Sequence, residues 1–477
     1  MSLSTPVPDI VDQSTDPLLG THPSWSRIPL HKVARVQNRF PFPSSAFVSG
    51  NPEAGMPLIR IRDVMRHRTD TTFIGAFDPA YVVEPGSLLI GMDGDFNTAM
   101  WKGMPALLNQ RVCRVTTDEQ AYSTKFLSYV LPGYLAAINA ATSSITVKHL
   151  SSKAVEAIPL PLPPLPEQHR IVAAIETHLT RLDAAVAALE RARARLKRYR
   201  AAVLKAACEG RLVPTEAHLA RTDGRPYEPA PALLARIQEA RATAVAAHGR
   251  APARRLPLPD PLPNVRPELP EGWAWSSIGA LSRVGTGATP LRTNPAFYAD
   301  GSIPWVTSGA LNAERVSEPS EFVTELALRQ TNLTVYPVGT LLVAMYGEGK
   351  TRGRCSELAI EATTNQAIAA LVFDSTTEAL RAYVRLFLQN SYEALRREAS
   401  GGVQPNLNLS IIRDTTIPLP PLREQERIVA EVERRLSVLD QLDAAVTANL
   451  KRADALRQSV LRRAFAGHLV PTGDHTT

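Results

Sequence analysis

Cysteine is scarce in this 477-residue sequence, and its scarcity argues against two kinds of stabilised scaffold. The three cysteines, Cys113, Cys208 and Cys355, lie far apart and form no CxxC pair. Structural zinc sites and disulfide frameworks both need clustered or numerous cysteines. We therefore predict no metal site and no disulfide, and we expect the three thiols to be small buried apolar side chains.

Long apolar segments are missing as well. No apolar run reaches the ~18 residues that a membrane-spanning helix requires. The first twenty residues, MSLSTPVPDIVDQSTDPLLG, lack the basic start and the apolar centre of a signal peptide. The sequence therefore predicts a cytoplasmic protein without a membrane partner.

Motifs for catalysis are absent or incomplete. GEGKT from Gly347 resembles the end of a phosphate-binding loop, but Ala344 stands where that loop requires a glycine. FDPAY from Phe77 resembles the Asp-Pro-Pro-Tyr element of adenine methyltransferases, but Ala80 replaces the second proline and no glycine-rich cofactor loop lies upstream. The histidines show no ligand spacing. We predict a non-enzymatic chain with no catalytic residue and no cofactor of its own.

What the sequence does contain is an ordinary folded composition, with 44% apolar and 21% charged residues. Its length predicts at least two globular units, because single domains mostly contain ~100 to 200 residues. The formal charge of +7 and the isoelectric point near 9.4 permit an anionic partner without requiring one.

A long internal repeat organises the chain. PLPPLPEQHRIV begins at Pro161 and PLPPLREQERIV begins at Pro418, and the match continues without a gap for about fifty residues, to GRLVPT from Gly210 and GHLVPT from Gly467. An ungapped repeat preserves a fixed length.

Within the repeat, apolar residues recur every seven positions, which is typical of a coiled coil. Acidic residues follow the prolines and glycines close each copy, so each helix should span about forty residues, or roughly 60 Å. The predicted coiled-coil core contains Ile175, Leu182, Leu189, Leu196 and Val203 in the first copy, and Val432, Leu439, Val446, Ala453 and Val460 in the second.

A helix with one apolar stripe needs a partner, since each buried Leu or Ile contributes ~1.5 to 3 kcal/mol only when it is covered. Two like units usually associate through a two-fold interface, which would make the two helices antiparallel and place the preceding segments at opposite ends of a rod. The alternative is that each helix packs back on its own domain.

A basic run from Arg191 to Arg200 is either a solvated face or a contact with a partner subunit or the DNA backbone.

The two segments upstream of the helices are weakly similar to each other in sequence. EPGSLLIGMDG from Glu84 matches YPVGTLLVAMYG from Tyr336, and Asn109-Gln110 matches Asn365-Gln366. Short strand-like runs between Gly, Pro and Asn predict a mixed α/β domain. WSRIPLHKVARV from Trp25 matches WSSIGALSRV from Trp275 only over its opening residues. The intervening loops differ, which predicts a common frame with two different readers.

At this point the sequence resembles the specificity subunit of type I restriction-modification systems. The residues that carry the resemblance are IPLPLPPLPEQHRIVAAIE, IPLPPLREQERIVAEVE, LPEGWAWSSIG, GSIPWVTSGALN, TNQAIAAL and GGVQPNLNLSIIRDTTIPLPPL. In the first half, the residues from Ser144 to His149 replace the VQPNLN element. The resemblance implies an α+β fold in which two mixed α/β target recognition domains are separated by two long antiparallel coiled-coil helices, with a pseudo-two-fold internal repeat.

On this basis the chain divides into seven segments. They are a flexible N-terminal tail (1–23), target recognition domain 1 (24–160), a central long helix (161–215), a proline-rich linker with a short helix (216–268), target recognition domain 2 (269–417), a C-terminal long helix (418–472) and a tail (473–477).

The resemblance also implies partners. Such subunits read an asymmetric, interrupted sequence in double-stranded DNA, and the helix length sets the unread spacer. Two methyltransferase (modification) subunits that use S-adenosylmethionine would dock on the helices. Two motor-nuclease (restriction) subunits that use ATP and Mg would usually join them in phage defence. None of these cofactors would be bound by this chain.

Bases are read by side chains with fixed donors and acceptors, while Lys, Arg and backbone amides hold phosphates. The candidate DNA-contacting residues are Asn97, Trp101, Lys102 and Arg111 in the first domain, and Ser308, Tyr346, Lys350, Arg352, Arg354 and Gln404 in the second. The repeated Asn-Gln pairs are assigned to scaffold hydrogen bonds or phosphate contact, because shared residues cannot explain different specificities.

Two functions of other classes remain open from the residues alone. A self-sufficient methyltransferase or nuclease would show activity in an assay of the isolated chain, although the missing cofactor loop argues against it. A two-headed DNA-binding regulator would bind its site tightly without a methyltransferase partner.

Overall fold

The structure is a computed structural model, and it describes residues 5–38, 40–50, 55–142, 148–247, 268–346, 351–392, 395–396 and 407–470. The chain divides into two compact units. Unit 1 contains Met1–Arg191 and Val446–Thr477, and unit 2 contains Ala192–Ala445. We call residues 24–160 the first domain and residues 269–417 the second domain. Each unit thus holds one domain together with parts of the repeated segments.

Unit 1 builds the first domain mainly from short strands. The elements, in chain order, are α1 (Val7–Gln13), β1 (Ser26–Pro29), β2 (Ala34–Gln37), β3 (Phe47–Ser49), β4 (Met56–Ile59), β5 (Thr71–Phe73), β6 (Val82–Val83), β7 (Leu88–Gly91), β8 (Thr98–Met100), β9 (Ala106–Leu108), β10 (Val112–Thr117), α2 (Thr124–Ala141), α3 (Ser152–Glu156), β11 (Pro159–Leu162) and the long helix α4 (Leu165–Cys208). The strands form sheets of order β1-β11, β2-β10-β7-β8 and β3-β5-β4-β9-β6. The β4–β9 pair is parallel and the other pairs are antiparallel.

The first residues of unit 1 correct the predicted N-terminal tail. Residues 7–13 form α1, and Val7 and Val11 are buried in the main core of unit 1 together with Phe126 and Leu131 of α2. Two prolines, Pro6 before the helix and Pro8 near its start, conceal this short helix from a periodicity reading, although proline suits the first helical turn. Residues 7–13 therefore belong to the fold.

Unit 2 contains the second domain and the segment before it. The elements, in chain order, are α5 (Glu216–Asp223), α6 (Ala230–Ala247), β12 (Ala274–Ser277), α7 (Ile278–Leu281), β13 (Arg283–Thr286), β14 (Ile303–Val306), β15 (Arg315–Val316), β16 (Glu321–Val323), α8 (Glu325–Gln330), β17 (Leu341–Ala344), β18 (Cys355–Leu358), β19 (Thr363–Thr364), β20 (Ile368–Val372), α9 (Arg381–Asn390), α10 (Leu409–Asp414), β21 (Thr416–Leu419) and the long helix α11 (Leu422–Phe465). The sheets have the orders β12-β21, β13-β20-β17-β18-β15 and β16-β14-β19.

The segment predicted as a linker contributes to the core of unit 2. The one short helix predicted there is α6, whereas α5 was not predicted. Leu233 and Ile237 of α6 are buried in the same cluster as Trp273 and Val203. The proline-rich residues 248–267 lie outside the described residues, so the segment beyond α6 stays a prediction.

The two domains share the order of their central strands, while β3 and β6 of the first domain and β15 of the second have no counterpart strand. The order β2-β10-β7-β8 in the first corresponds to β13-β20-β17-β18 in the second, and β5-β4-β9 corresponds to β16-β14-β19. The correspondence includes strand direction, since β14 also pairs parallel with β19 and antiparallel with β16. The predicted common frame is therefore present at the level of strand order.

The two long helices have the same length, 44 residues each. Within unit 2, Arg200 pairs with Asp440 and Arg193 pairs with Asp443, so the residue number rises along α4 as it falls along α11. The helices are antiparallel there, which confirms the predicted direction. Within unit 1, Arg457 pairs with Asp183. Arg193 and Arg200, two members of the basic run, therefore serve helix pairing, a role other than the predicted solvated face or contact with a partner subunit or DNA.

Both proposed modes of helix packing occur. In unit 1, Ile171 and Ile175 of α4 are buried in the core of the first domain. In unit 2, Ile428 and Val432 of α11 are buried in the core of the second domain. The residues of the predicted coiled-coil core fall into two groups. Those that are buried are Ile175, Val203, Val432, Leu439, Val446 and Ala453, and those that are half-buried are Leu182, Leu189, Leu196 and Val460.

The glycine after α4 is required at its position. Gly210 has φ of 68°, a left-handed conformation that caps the helix, and the N–H of Arg211 donates to the carbonyl of Ala206. A Cβ at this position would lie 2.5 Å from Pro270 Cγ, so the second domain approaches the backbone closely. The predicted glycine cap thus also serves packing.

Candidate nucleic-acid interface

The repeated twelve-residue segment anchors the first domain to α4. The indole Nε1 of Trp25 donates to Glu167 Oε2 at 3.3 Å, and the hydroxyl of Tyr122 donates to the carbonyl of Pro161 at 3.0 Å. The side chain of Gln168 accepts from Ser123 N at 2.8 Å and donates to the carbonyl of Pro163 at 2.9 Å. These groups are buried, so the network fixes the domain at the first turn of the helix.

The same anchor recurs in unit 2. Trp273 Nε1 donates to Glu424 Oε1 at 2.9 Å, and the Tyr383 hydroxyl donates to the carbonyl of Pro418 at 2.7 Å. Gln425 Nε2 donates to the carbonyl of Pro420 at 2.8 Å. The Glu-Gln pair of each repeat therefore has a structural role, which explains why both residues recur.

The second anchor has an additional layer. Glu424 Oε2 accepts from the backbone N–H of Glu216 at 2.8 Å, and the buried carboxylate of Glu216 binds Arg225 and Arg427 at 2.6 Å each. In the first anchor, Glu167 Oε1 is buried without a hydrogen-bond partner among the described residues. The Glu424 carboxylate therefore has more hydrogen-bond partners than the Glu167 carboxylate. The reverse holds for the glutamines, since Gln168 bonds Ser123 N and the carbonyl of Ala121 in the first domain, whereas Gln425 Oε1 is buried without a partner among the described residues.

Burial and charge act in opposite directions on these two carboxyl groups. Burial raises the pKa of Glu424, while the hydrogen bonds from Glu216 N and Trp273 oppose the rise. Burial also acts to raise the pKa of Glu216, but hydrogen bonds from Arg225 and Arg427 outweigh it, so that pKa is lowered. Glu216 is therefore the member that carries the negative charge most firmly.

The anchor corrects one sequence match. Trp25 was matched with Trp275, but Trp25 directly precedes β1 and Trp273 directly precedes β12, and these are the two tryptophans that bind the anchor carboxylates. The second tryptophan of WAWSS hid the correct register. The Glu-Gln pair that recurs in both repeats was the available indication of the anchor, beyond the charge of its glutamate.

In the first domain, three of the four candidate DNA-contacting side chains are exposed. Asn97 and Arg111 lie at the same sheet edge, because β7 ends beside the start of both β8 and β10. Lys102 lies beyond the opposite end of β8. Arg111 forms an ion pair with Asp93, whose other oxygen lies 2.6 Å from His149 Nδ1. Arg111 is thus already neutralised in this conformation.

Trp101 is a correction. It was predicted to contact DNA, but its side chain is 1% exposed and lies in the core of the first domain. Its Nε1 donates to the carbonyl of Met104 at 2.8 Å, so its polar atom is also occupied. The side chain packs in the hydrophobic core beneath its loop and is not available to DNA.

In the second domain, the candidates converge on one hairpin. Tyr346 follows β17 and is exposed, and Arg352 and Arg354 precede β18, its antiparallel neighbour. Arg354 Nη1 donates to the carbonyl of Asn312, in the turn after β14 that begins with the half-buried Ser308. Lys350 and Gln404 lie outside the described residues, so their prediction stays open.

The repeated Asn-Gln pairs lie at equivalent turns. The carbonyl of Asn109 accepts from Val112 N, and the carbonyl of Asn365 accepts from Ile368 N, at 3.3 Å in both cases. Asn109 is buried, and the Asn365 side chain accepts from Ala367 N. Both asparagines take part in backbone hydrogen bonding of the fold, whereas Gln110 and Gln366 are exposed.

The FDPAY segment is structural. Asp78 Oδ1 accepts from Ala80 N at 2.9 Å, which caps a short 3-10 turn, and Tyr81 packs against the Phe40 ring at a centroid distance of 5.1 Å. The carbonyl of Ala80 accepts from Gln37 and Arg114. These contacts account for its residues without a catalytic role.

The described residues provide no obvious place for a metal ion. Among the described residues, no group of three or more His, Cys, Asp or Glu side chains could hold a metal ion. A separate finding is that no helix in the described part of the chain is long and apolar enough to cross a membrane. The three cysteines are free, and burial raises the pKa of each thiol to about 12. Such thiols stay protonated at neutral pH and are poor metal ligands.

Comparison with known protein families gives two matches within this chain. The family described as "Type I restriction modification DNA specificity domain" matches residues 25–191 and again residues 270–453. Each match contains nearly all of one domain and more than half of the long helix that follows it.

Full-length relatives match over nearly the whole chain. The Type I restriction enzyme EcoBI specificity subunit of Escherichia coli is 31% identical over 474 residues, which cover 98% of this chain and 91% of that protein. The Type I restriction enzyme EcoKI specificity subunit of Escherichia coli strain K12 is 22% identical over 466 residues, which cover 93% and 89%.

A solved structure supports the fold. A chain from the work described as "Structural basis underlying complex assembly and conformational transition of the type I R-M system" aligns with a TM-score of 0.62 and 19% identity. The alignment covers 94% of this chain and 99% of that chain. At this identity the likeness concerns the fold alone.

Proposed function

Because this chain belongs to the family of type I restriction-modification DNA specificity subunits, we propose that it is the non-catalytic subunit that selects the DNA sequence for a methyltransferase complex. Its target would be bipartite and asymmetric. The first domain would read one half-site and the second domain the other, and neither domain would carry out chemistry on the DNA.

The observation that carries this proposal is the pairing of one topology with two sets of loops. Strand order and the helix anchors recur in both domains, whereas the β7–β8 hairpin contains Asp93, Asp95 and Asn97 and the β17–β18 hairpin contains Arg352 and Arg354. Base readout needs different side chains for different sequences. Two domains with the same central strand order but different loop side chains suit two half-sites of different sequence.

Equal helix lengths support a role in spacing. Both helices contain 44 residues, and ion pairs join them in antiparallel direction within unit 2. A helix is stiff and rises 1.5 Å per residue, so its length is a stable ruler. We propose that these helices set the number of unread base pairs between the half-sites.

The partners follow from the same proposal. Double-stranded DNA would contact the hairpins of both domains. Two methyltransferase subunits that bind S-adenosylmethionine would dock on α4 and α11, and two motor-nuclease subunits that use ATP and Mg would complete a restricting complex in the cytoplasm. Each of these cofactors would belong to a partner subunit.

Mapping of methylated adenine in the source organism, with and without the gene for this chain, tests the proposal. We expect one interrupted motif with a fixed spacer to lose its methylation on deletion, and a tagged chain to co-purify with a methyltransferase. If the methylation pattern does not change and the tagged chain binds its DNA site without a methyltransferase, the chain is a regulator and the proposal fails.

A further inference from the structure

A strongly basic turn lies in the first domain, outside all the residues predicted to contact DNA. It follows β4 and comprises residues 60–68, RIRDVMRHR. We call this segment the basic turn. Its four arginines, Arg60, Arg62, Arg66 and Arg68, are all exposed.

The local fold forces these arginines outward. Ile61 and Val64 belong to a hydrophobic cluster of the first domain, and Asp63 is also buried. Asp63 closes the turn, since its carboxylate accepts from Arg60 N at 2.9 Å and its carbonyl accepts from Arg66 N and His67 N. These three side chains occupy the inner side of the turn, and the arginines before, between and after them are exposed to solvent.

The arginines are poorly neutralised. Of the residues that the structure describes, none gives Arg60, Arg66 or Arg68 a carboxylate within ion-pair distance, and Arg62 approaches only Asp63, at 3.8 Å. Some exposed arginines elsewhere do have a close acidic partner, as Arg221 has in Glu271 and Arg236 in Glu228. Clustered like charges repel each other, and a bound anion relieves that repulsion.

The basic turn runs alongside the predicted interface. At one end, a Cβ on Gly91 would lie 2.8 Å from Ile61 Cγ1 and 3.6 Å from the carbonyl of Asn97. At the other end, the His67 ring lies 6.3 Å from the Trp101 ring, and a Cβ on Gly103 would lie 2.4 Å from the His67 carbonyl. The turn therefore follows β8 from Asn97 to the loop that holds Lys102.

The equivalent turn of the second domain lacks this charge. Pro57 in β4 and Pro304 in β14 occupy the same position in matched strands, and each strand is followed by a 3-10 turn. Residues 307–315, TSGALNAER, contain one arginine and one glutamate. In that domain the basic residues lie on the neighbouring hairpin instead, as Arg352 and Arg354.

We propose that Arg60, Arg62, Arg66 and Arg68 bind the backbone phosphates of duplex DNA and hold it on the first domain without reading bases. Guanidinium groups suit this role because they are permanently charged and bind phosphate oxygens through two parallel hydrogen bonds. The inference rests on the proposed function, and it adds that the first domain carries the larger share of sequence-independent, salt-dependent affinity.

The test measures binding of the full-length chain, in the assembly purified from its host, to a random-sequence duplex and to a duplex that carries the mapped methylation motif. Arg66→Ala with Arg68→Ala should weaken binding to both duplexes, by roughly 5-fold per lost contact near 0.15 M salt. The slope of log affinity against log salt concentration should become shallower by ~0.9 per contact. The methylated motif itself should not change.

Two matched variants make the result decisive. Arg66→Lys with Arg68→Lys keeps the charge and should restore most of the salt slope. Arg221→Ala with Arg236→Ala removes two exposed arginines that already have acidic partners, and the slope should stay at the wild-type value. If the first double variant keeps wild-type affinity and slope, or loses no more than the control, the inference is overturned.

Failure of the proposed function would appear differently. In that case the wild-type assembly would bind the motif duplex no more tightly than the random duplex, whatever the variants do. A wild type that prefers its motif, together with an unaffected Arg66 and Arg68 variant, would leave the proposed function standing and remove only the basic turn from the interface.

Discussion

The two domains have the same strand order but place their charges on different loops. The first domain has aspartates on its β7–β8 hairpin and arginines on the turn after β4, whereas the second has arginines on its β17–β18 hairpin and a nearly neutral turn after β14. The buried strands and the helix anchors are alike. Surface loops can exchange charge freely because the frame does not depend on them.

The largest expected effect comes from making the two long helices unequal in length. Insertion of four residues in register near Ala445, within α11, should abolish methylation at the original spacer and create a new preferred spacer with both half-sites unchanged. Four residues add one helical turn, or about 6 Å of length. Methylation sequencing of cells that express the variant provides the measurement.

A matched control is available in the same chain. Four residues inserted among the prolines of 248–267 lengthen the chain without lengthening either helix, so the spacer should be unchanged. Persistence of the original spacer in the α11 variant would contradict the proposal that helix length sets the spacer.

The anchors differ in strength, and their removal should sharpen the comparison. Glu424→Ala leaves two buried donors, Trp273 Nε1 and Glu216 N, without a partner, whereas Glu167→Ala leaves only Trp25 Nε1. Each such group costs about 1–3 kcal/mol, so Glu424→Ala should lower the free energy of unfolding about twice as much as Glu167→Ala.

Urea unfolding followed by circular dichroism measures this difference. Glu426→Ala, an exposed change in the same turn as Glu424, should have little effect. Equal losses for Glu167→Ala and Glu424→Ala would mean that the additional contacts of the second anchor contribute nothing.

Removal of hairpin charge should affect one half-site only. Arg352→Ala, and equally Lys350→Ala, should weaken binding to the second half-site by roughly 10-fold while the first half-site is read as before, because a hydrogen bond to a charged group is worth about 1.5–3 kcal/mol. Fluorescence anisotropy with duplexes in which one half-site is scrambled separates the two contributions.

Arg329→Ala is the control for this loss of charge, since Arg329 is exposed on α8 and lies 3.8 Å from Glu325. Unchanged affinity in both hairpin variants would remove the β17–β18 hairpin from the interface.

The smallest effect is expected at Trp101. Trp101→Phe removes the hydrogen bond to the Met104 carbonyl and should lower the free energy of unfolding by about 1 kcal/mol. DNA affinity should stay within a factor of about two, since the side chain is buried. A large loss of affinity in a variant with unchanged thermal stability would return Trp101 to the DNA interface.

Periodic and repeated features were predictable because they are local in sequence. The heptad spacing and the glycine caps predicted helices of about forty residues, and the repeat, through the two-fold symmetry expected of two like units, predicted their antiparallel pairing. Loop side chains such as Trp101 were not predictable, because their burial depends on strands distant in sequence. The same holds for the anchors, where Trp25 meets Glu167 only after the chain has passed through the whole first domain. The helix α1 was missed because its two prolines interrupt the periodic pattern.

The central claim is that each domain reads one half-site independently, and a domain exchange tests it most directly. Residues 269–417 would be replaced by a second copy of residues 24–160, joined at the matched strand pairs β1-β11 and β12-β21. Methylation sequencing should then reveal a palindromic motif, with the first half-site present twice in inverted orientation. Retention of the original asymmetric motif would contradict the claim.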